Sequence, residues 1–178
     1  IDYDGEFELL IPKNTIDKLK TLGLTGEVRI RHSNAMAIFA TEDFEICTRL
    51  VQGEYYKYQN MFKELPLHTV ISRKELLDAM VRAKMCTAEK CPVKFEIAGS
   101  QLGLSIKDQT TDYHETVDLQ ENISEELTIG FDARLVIETL KAFDCDNVGI
   151  SLQSPKMPMI IEAEDSDFKT IVLPVAIK

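Results

Sequence analysis

The chain has 178 residues, 44% hydrophobic and 28% charged, with four cysteines and no tryptophan, enough to bury a core in one large or two small globular domains. A formal net charge of −10 excludes a protein that coats its whole surface onto nucleic acid or an anionic membrane. No apolar run reaches the length of a membrane span, no signal-peptide pattern opens the chain, and no low-complexity segment interrupts it.

Residues 7–11 read as a strand. A helix follows in which Asn14 is the expected N-cap, Ile16, Leu19 and Leu22 the apolar face, and Gly23 the closing residue. Residues 27–32, 35–41 and 45–51 alternate or carry β-branched side chains, with polar turns at Ser33, Asn34, Glu42 and Asp43, and predict a three-stranded meander. Residues 52–66, QGEYYKYQNMFKELP, break the alternation and read as a connector. Its Tyr55, Tyr56, Tyr58, Met61 and Phe62 either pack the connector onto its neighbours or wall a binding groove.

Residues 68–85 repeat the strand and helix, with Ser72 as N-cap, Glu75 three positions on as in a capping box, and then the apolar Leu76, Leu77, Met80 and Val81. Strands are expected at 93–98, 102–107 and 113–119, with a turn at Gly99 and Ser100, and residues 120–126, QENISEE, as an acidic linker. A third copy occupies residues 127–143. Asp132 is its N-cap, Phe131, Leu135, Val136, Leu140 and Phe143 share one face, and Arg134, Glu138 and Lys141 the other. Strands at 148–153, 157–162 and 169–177 follow, the last of them apolar to its end.

The three expected caps stand 58 and 60 residues apart, so the chain is a repeat of one unit: strand, helix, three strands. One helix cannot cover four strands. Two units side by side can, with both helices on one face of antiparallel sheets, which makes the fold class α+β. The second and third units form such a pair, of about 110 to 120 residues. The first is half a domain, and with Ile1 in place of an initiating Met it predicts a further unit upstream.

The negative charge is not evenly spread. Residues 13–22, 73–84 and 132–141 carry nine Lys or Arg against five Asp or Glu, leaving a net −14 on the remainder. Either the helices present one surface to a polyanion, or this is the ordinary preference of exposed helix faces for Lys and Arg. Cys47, Cys86, Cys91 and Cys145 form no Cys-x-x-Cys pair and read as reduced, mostly buried thiols of a cytosolic protein. His32, His68 and His114 lack ligand spacing, so no metal or other cofactor is expected. A metal-dependent nuclease would have to use Glu162, Glu164, Asp165 and Asp167 around Mg²⁺, but these read as a solvated turn without a basic or histidine partner. No nucleophile constellation or phosphate loop is present, and the chain is expected not to be an enzyme.

Five segments, in order and at their spacings, carry a resemblance: TRLVQGEYYKY at 48–58, ISRKELLDAMVRA at 71–83, IGFDARLVIETLKAF at 129–143, SPKMPMII at 154–161 and IVLPVAI at 171–177. The chain resembles the bacterial DNA polymerase III beta subunit, the DNA sliding clamp, over its whole length. That family builds three domains of two units each, and its subunits pair into a closed ring. The resemblance implies that residues 1–65 are the second half of the middle clamp domain and 66–178 the complete C-terminal one. It implies a processivity factor that encircles duplex DNA without reading sequence and tethers the replicative polymerase. The clamp loader, other polymerases and repair proteins would dock through short peptide motifs, the full-length protein would be a homodimer without membrane contact, and its place would be the bacterial cytoplasm at the nucleoid. An alternative is a truncated clamp acting only as a peptide-binding adaptor.

In the family the helices line the central hole, so the resemblance implies channel charges at Lys13, Lys18, Lys20, Arg73, Lys74, Arg82, Lys84, Arg134 and Lys141. Arg82 could instead pair with Asp78 on its own helix, and with Met85 and Cys86 it falls where the family's subunits meet. The partner-peptide groove, carried over by position, comprises Tyr56, Asn60, Met61, Asp132, Leu135, Lys156, Pro158, Ile171, Val172, Leu173, Pro174, Val175, Ala176 and Ile177. From periodicity alone the last seven are an ordinary buried strand. The chain departs from the family at Ala176, where an arginine is common, and at Tyr55 and Tyr56, where an aromatic–proline pair is usual; a further groove wall would lie upstream of Ile1.

Overall fold

In the computed structural model, which describes residues 7–23, 26–86, 91–107 and 111–177, the chain divides into two units, Ile1–Lys57 and Tyr58–Lys178. Any part of the expected elements at residues 1–6, 24–25, 87–90, 108–110 and 178 lies outside the described residues.

In the first unit, helix α1 (Lys13–Thr21) starts one residue after Pro12, whose carbonyl accepts from the N–H of Thr15 at 2.9 Å and of Ile16 at 3.3 Å. No side chain caps it, and Asn14, the expected cap, sits inside the first turn. Proline sets the start because its fixed φ already suits a helix entry. Gly23 closes the helix as expected: it follows the C-cap at φ +55°, and its N–H bonds Lys20 O at 3.1 Å. Thr15 turns inward, its hydroxyl 2.8 Å from that of Thr48, while Ile16 and Leu22 of the expected apolar face are 40% and 49% exposed. The meander forms as β1 (Arg29–His32), β2 (Met36–Ala40) and β3 (Glu45–Arg49), all antiparallel. Residues 7–11 take no place in that sheet. Val51 N–H bonds Leu10 O at 2.8 Å, and the Phe7 ring stacks on His32 at 4.9 Å.

The second unit begins with a 3-10 turn, Tyr58–Met61, then β4 (Leu67–Ser72) and α2 (Arg73–Cys86), whose Glu75 N–H lies 3.4 Å from Ser72 Oγ. Strands β5 (Val93–Lys107) and β6 (Asp112–Phe131) form one long hairpin, so neither the turn at Gly99 nor the linker at 120–126 exists as expected. Gly99 is instead a bulge at φ +57°, where the register shifts. The acidic segment stays in β6 because Ile123, 6% exposed and opposite Gly99, holds it to the core while its polar neighbours face solvent. Helix α3 (Ala133–Lys141) follows, then β7 (Asn147–Leu152), β8 (Met159–Ala163) and β9 (Lys169–Val172), in sheet order β5-β6-β4-β7-β8-β9. Strand β8 starts later than expected because Ser154 O accepts from Met157 N–H in a turn. Strand β9 ends at Val172, not 177; Pro174 has no N–H to extend a ladder.

Helices α2 and α3 pack on each other. Leu76, Ala79, Met80 and Ala83 from one, with Val136, Ile137 and Leu140 from the other, close over Ile71, Val148, Ile150 and Ile161 of the sheet. Phe95 and Phe131, edge to face at 5.0 Å, fill the β5–β6 end. Full burial of each such aliphatic or aromatic side chain contributes about 1.5–3 kcal/mol.

Candidate functional site: an apolar tail beside a helix start

Beyond β9 the chain leaves the last strand of the sheet and touches down once, where Val175 N–H donates to Gly130 O at 2.8 Å. Gly130 lies two residues before Asp132, whose carboxylate accepts the Arg134 N–H at 2.8 Å and so caps α3 as expected. The tail therefore rests on the strand just before the cap of α3, with its apolar side chains partly exposed. Leu173 is 57% exposed, Val175 39% and Ile177 40%, and Leu135 in the first turn of α3 is 40% exposed. Pro174 is half-buried and Ala176 exposed. The register pairs Met159 with Val172, which puts Pro158 and the exposed Lys156 at the same end of the sheet as Leu173.

Not every residue of the expected groove joins this cluster. Val172 is 2% exposed and belongs to the core; Ile171 is half-buried in β9. Asn60, exposed, and Met61, half-buried, lie on the 3-10 turn, and Tyr56, 71% exposed, belongs to the first unit. Sequence reading missed Gly130. Its signal was a small residue at the centre of Ile129, Gly130 and Phe131, where strand patterning favours a side chain.

The nine expected channel cations differ in exposure and in setting. Lys74, Lys84 and Lys141 are exposed on α2 and α3, and Arg134 reaches Asp132 Oδ2 at 3.4 Å. Arg73 is half-buried, its Nε donating to Cys145 O. On α1, Lys18 and Lys20 are exposed and Lys13 pairs with Asp17 at 2.9 Å. Arg82 does not pair with Asp78. Its guanidinium grips Glu115 of β6, Nε to Oε2 at 3.0 Å and Nη2 to Oε1, and the Tyr113 hydroxyl donates to the same carboxylate. The Arg82 hydrogen bond holds the Glu115 carboxyl below the usual carboxylate range against a smaller opposing effect of burial. Burial pushes the Tyr113 phenol up to about 12, with the bond to Glu115 adding to it. Next to this group Met85 is 82% exposed and Cys86 half-buried.

On the sheet, His68 Nδ1 lies 3.0 Å from Ser151 Oγ, and Lys169 Nζ lies 2.7 Å from Glu162, beside a cavity of about 380 Å³ also lined by Phe62, Leu65 and Ile160. Glu162 is thus held by Lys169 rather than gathered with Glu164, Asp165 and Asp167, and among the described residues no three His, Cys, Asp or Glu side chains converge as metal ligands. The cysteines form no disulfide and, against the expectation of mostly buried thiols, none is buried: Cys47 is exposed, alternating with buried Thr48 on β3, and the other three are half-buried. No helix among the described residues is long and apolar enough to cross a membrane.

The family model described as DNA polymerase III beta subunit, C-terminal domain, matches residues 63–176. A beta sliding clamp of Streptococcus pneumoniae is 26% identical over 180 residues, which cover 96% of this chain and 47% of the relative. The crystal structure of the DNA polymerase III beta chain from Streptococcus pneumoniae matches with a TM-score of 0.87 at 24% identity, covering 99% of this chain and 49% of that one. A sliding clamp from Bartonella birtlesii, solved bound to griselimycin, gives 0.85 at 20% identity over 95% of this chain and 47% of that one. These likenesses show the fold, an α+β clamp of helices against antiparallel sheets. The chain spans about half the length of the curated relatives it matches.

Proposed function

The chain belongs to the DNA polymerase III beta subunit family, and on that premise we propose that it serves as part of a polymerase processivity factor, a non-catalytic sliding clamp. In this reading residues 1–65 are the second half of the middle clamp domain and residues 66–178 the C-terminal one. The full-length protein is a homodimeric ring around duplex DNA at the bacterial nucleoid. Lys74, Lys84, Arg134 and Lys141, with Lys18 and Lys20 of α1, supply the channel charge, an attraction to phosphate that is independent of sequence and weakens with salt. Arg82 is committed to Glu115, so with Met85 and Cys86 it is assigned to the interface between protomers instead.

The polymerase, the clamp loader and other replication and repair proteins dock by short peptides ending in bulky apolar residues. The observation that carries this reading is the tail itself: Leu173, Val175 and Ile177 stay exposed, as Leu135 does in the first turn of α3, although the core is closed. The buried strand that periodicity alone predicts for residues 171–177 would have hidden these side chains, and clustered exposed apolar side chains favour a docking surface. Leu135, Pro158 and the tail form the apolar wall, while Asp132 and Lys156 supply its polar edge; Tyr56, Asn60 and Met61 belong to the reading by sequence position only. Two apolar anchors at about 1.5–3 kcal/mol each are consistent with about micromolar affinity once backbone contacts add to them and ordering costs are subtracted.

The test is a fluorescence-anisotropy titration of a labelled Gln-x-x-Leu-Phe peptide against this chain. About micromolar binding that Leu173→Asp abolishes, with the circular dichroism unchanged, is expected. Equal affinity of the two proteins would sink the groove assignment.

A further inference from the structure

We infer that Gly130 is a positioning residue for partner binding: it is where the C-terminal tail rests, and its missing side chain sets where Leu173, Val175 and Ile177 stand against the start of α3. The inference rests on the groove reading above and deepens it. With β9 ended at Val172 and Pro174 unable to donate, the tail's backbone bond to the body of its unit runs from Val175 N–H to Gly130 O. The approach is close. A Cβ on Gly130 would stand 2.7 Å from Ile177 Cγ1 and 2.8 Å from Val175 O, both nearer than real Cβ atoms come.

Ile177 could swing its side chain aside, but the Val175 carbonyl is backbone and can move only if the tail moves. Gly130 is not among the glycines of positive φ, so what the position demands is space and not an unusual conformation. Its neighbours Ile129 and Phe131 are fully buried, with Phe131 against Phe95. Strand alternation therefore turns those two toward the core and presents Gly130 to the tail on the opposite face. One end of this short segment is fixed by the core, and Asp132 fixes the other by capping α3. The tail that lands between them inherits a defined position relative to Leu135.

Because alanine is conformationally acceptable here, Gly130→Ala tests the space alone. In the full chain, amide hydrogen exchange at Val175 is expected to speed up at least about tenfold while the β5–β6 ladder keeps its protection, and affinity for the labelled peptide is expected to fall by a similar factor. An unchanged Val175 rate overturns the inference. So does a released tail with undiminished peptide affinity, which would separate the seat from the groove. Should Gly130→Ala unfold the ladder itself, Ile177→Gly reads the same contact from the other side: faster Val175 exchange with an intact ladder supports the seat, and an unchanged rate overturns it. If the unsubstituted chain binds no peptide, the groove reading fails, while Val175 exchange still decides whether Gly130 holds the tail.

Discussion

Helices α1 and α3 have the same length, nine residues, but α1 (KNTIDKLKT) carries only Ile16 and Leu19 as large apolar residues where α3 (ARLVIETLK) carries Leu135, Val136, Ile137 and Leu140, and they end in different circumstances. Helix α3 buries Ala133, Val136, Ile137 and Leu140; α1 buries Thr15 alone, and Ile16 and Leu22 stay partly in solvent. Composition is one part of the difference, and the available partner surface is the other. In the second unit α3 has a second helix, α2, to close the surface of a six-stranded sheet. Among the described residues of the first unit one helix accompanies three strands. A periodic apolar face states which side of a helix will be buried, but burial itself requires a partner surface.

Truncation of the two faces should separate them most widely. Leu140 is fully buried, so Leu140→Ala removes its transfer energy and leaves a cavity, at a cost of about 2–5 kcal/mol. Ile16 is 40% exposed, and Ile16→Ala should cost below about 1 kcal/mol. Urea unfolding followed by circular dichroism measures both. Equal shifts in midpoint would mean that α1 is packed as tightly as α3 and would remove the contrast.

What the sequence conveyed tracks the same distinction between local and distant causes. The three helices, the three-stranded meander, the caps at Ser72 and Asp132 and the Gly23 stop are local matters of period and cap chemistry, and they were legible, whereas residues 7–11 form no strand and residues 112–131 form one where two were expected. Asn14 failed as a cap because Pro12, two residues earlier, starts the helix first. Gly99 and residues 120–126 misled because turn composition inside a long hairpin looks the same as turn composition between strands; only the pairing of Gly99 with Ile123 tells them apart. Of the candidate groove, the exposed Leu173, Val175 and Ile177 were legible as family positions but not from periodicity, which reads them as a buried strand. Gly130 and Glu115 escaped because their roles depend on contacts with residues 45 and 33 positions away in sequence.

The caps offer a smaller contrast in the same direction. Asp132 accepts a backbone N–H that would otherwise lack a helical partner, so Asp132→Ala should lower stability by about 1 kcal/mol. Asn14 lies within α1, where alanine is the better helix former; Asn14→Ala should be neutral or stabilising by about 0.5 kcal/mol. Thermal and urea midpoints of the two variants check this. A loss at Asn14 as large as that at Asp132 would restore Asn14 as a working cap.

The smallest expected difference lies in the ion pairs. In the first unit Arg31 and Glu45 meet across strands with side chains 63% and 58% exposed, where water and salt weaken the attraction. In the second unit Glu115 is only 25% exposed, accepts from Arg82 and is backed by the Tyr113 hydroxyl. Glu115 is held ionised more readily in the folded chain than in the unfolded one. Its contribution is therefore complete above the ordinary glutamate range and is lost as pH falls through its lowered folded value. Tyr113 runs the other way: a phenol raised to about 12 favours the folded state below its ordinary value of 10.0, and that contribution disappears between the two. Glu115→Gln should flatten the acid limb of a stability–pH profile, and Tyr113→Phe the limb between pH 10 and 12. If the profiles keep both limbs, the Arg82–Glu115–Tyr113 group does not persist in solution. Arg82 would then be released from Glu115 and would rejoin Lys74 and Lys84 as a candidate for phosphate contact.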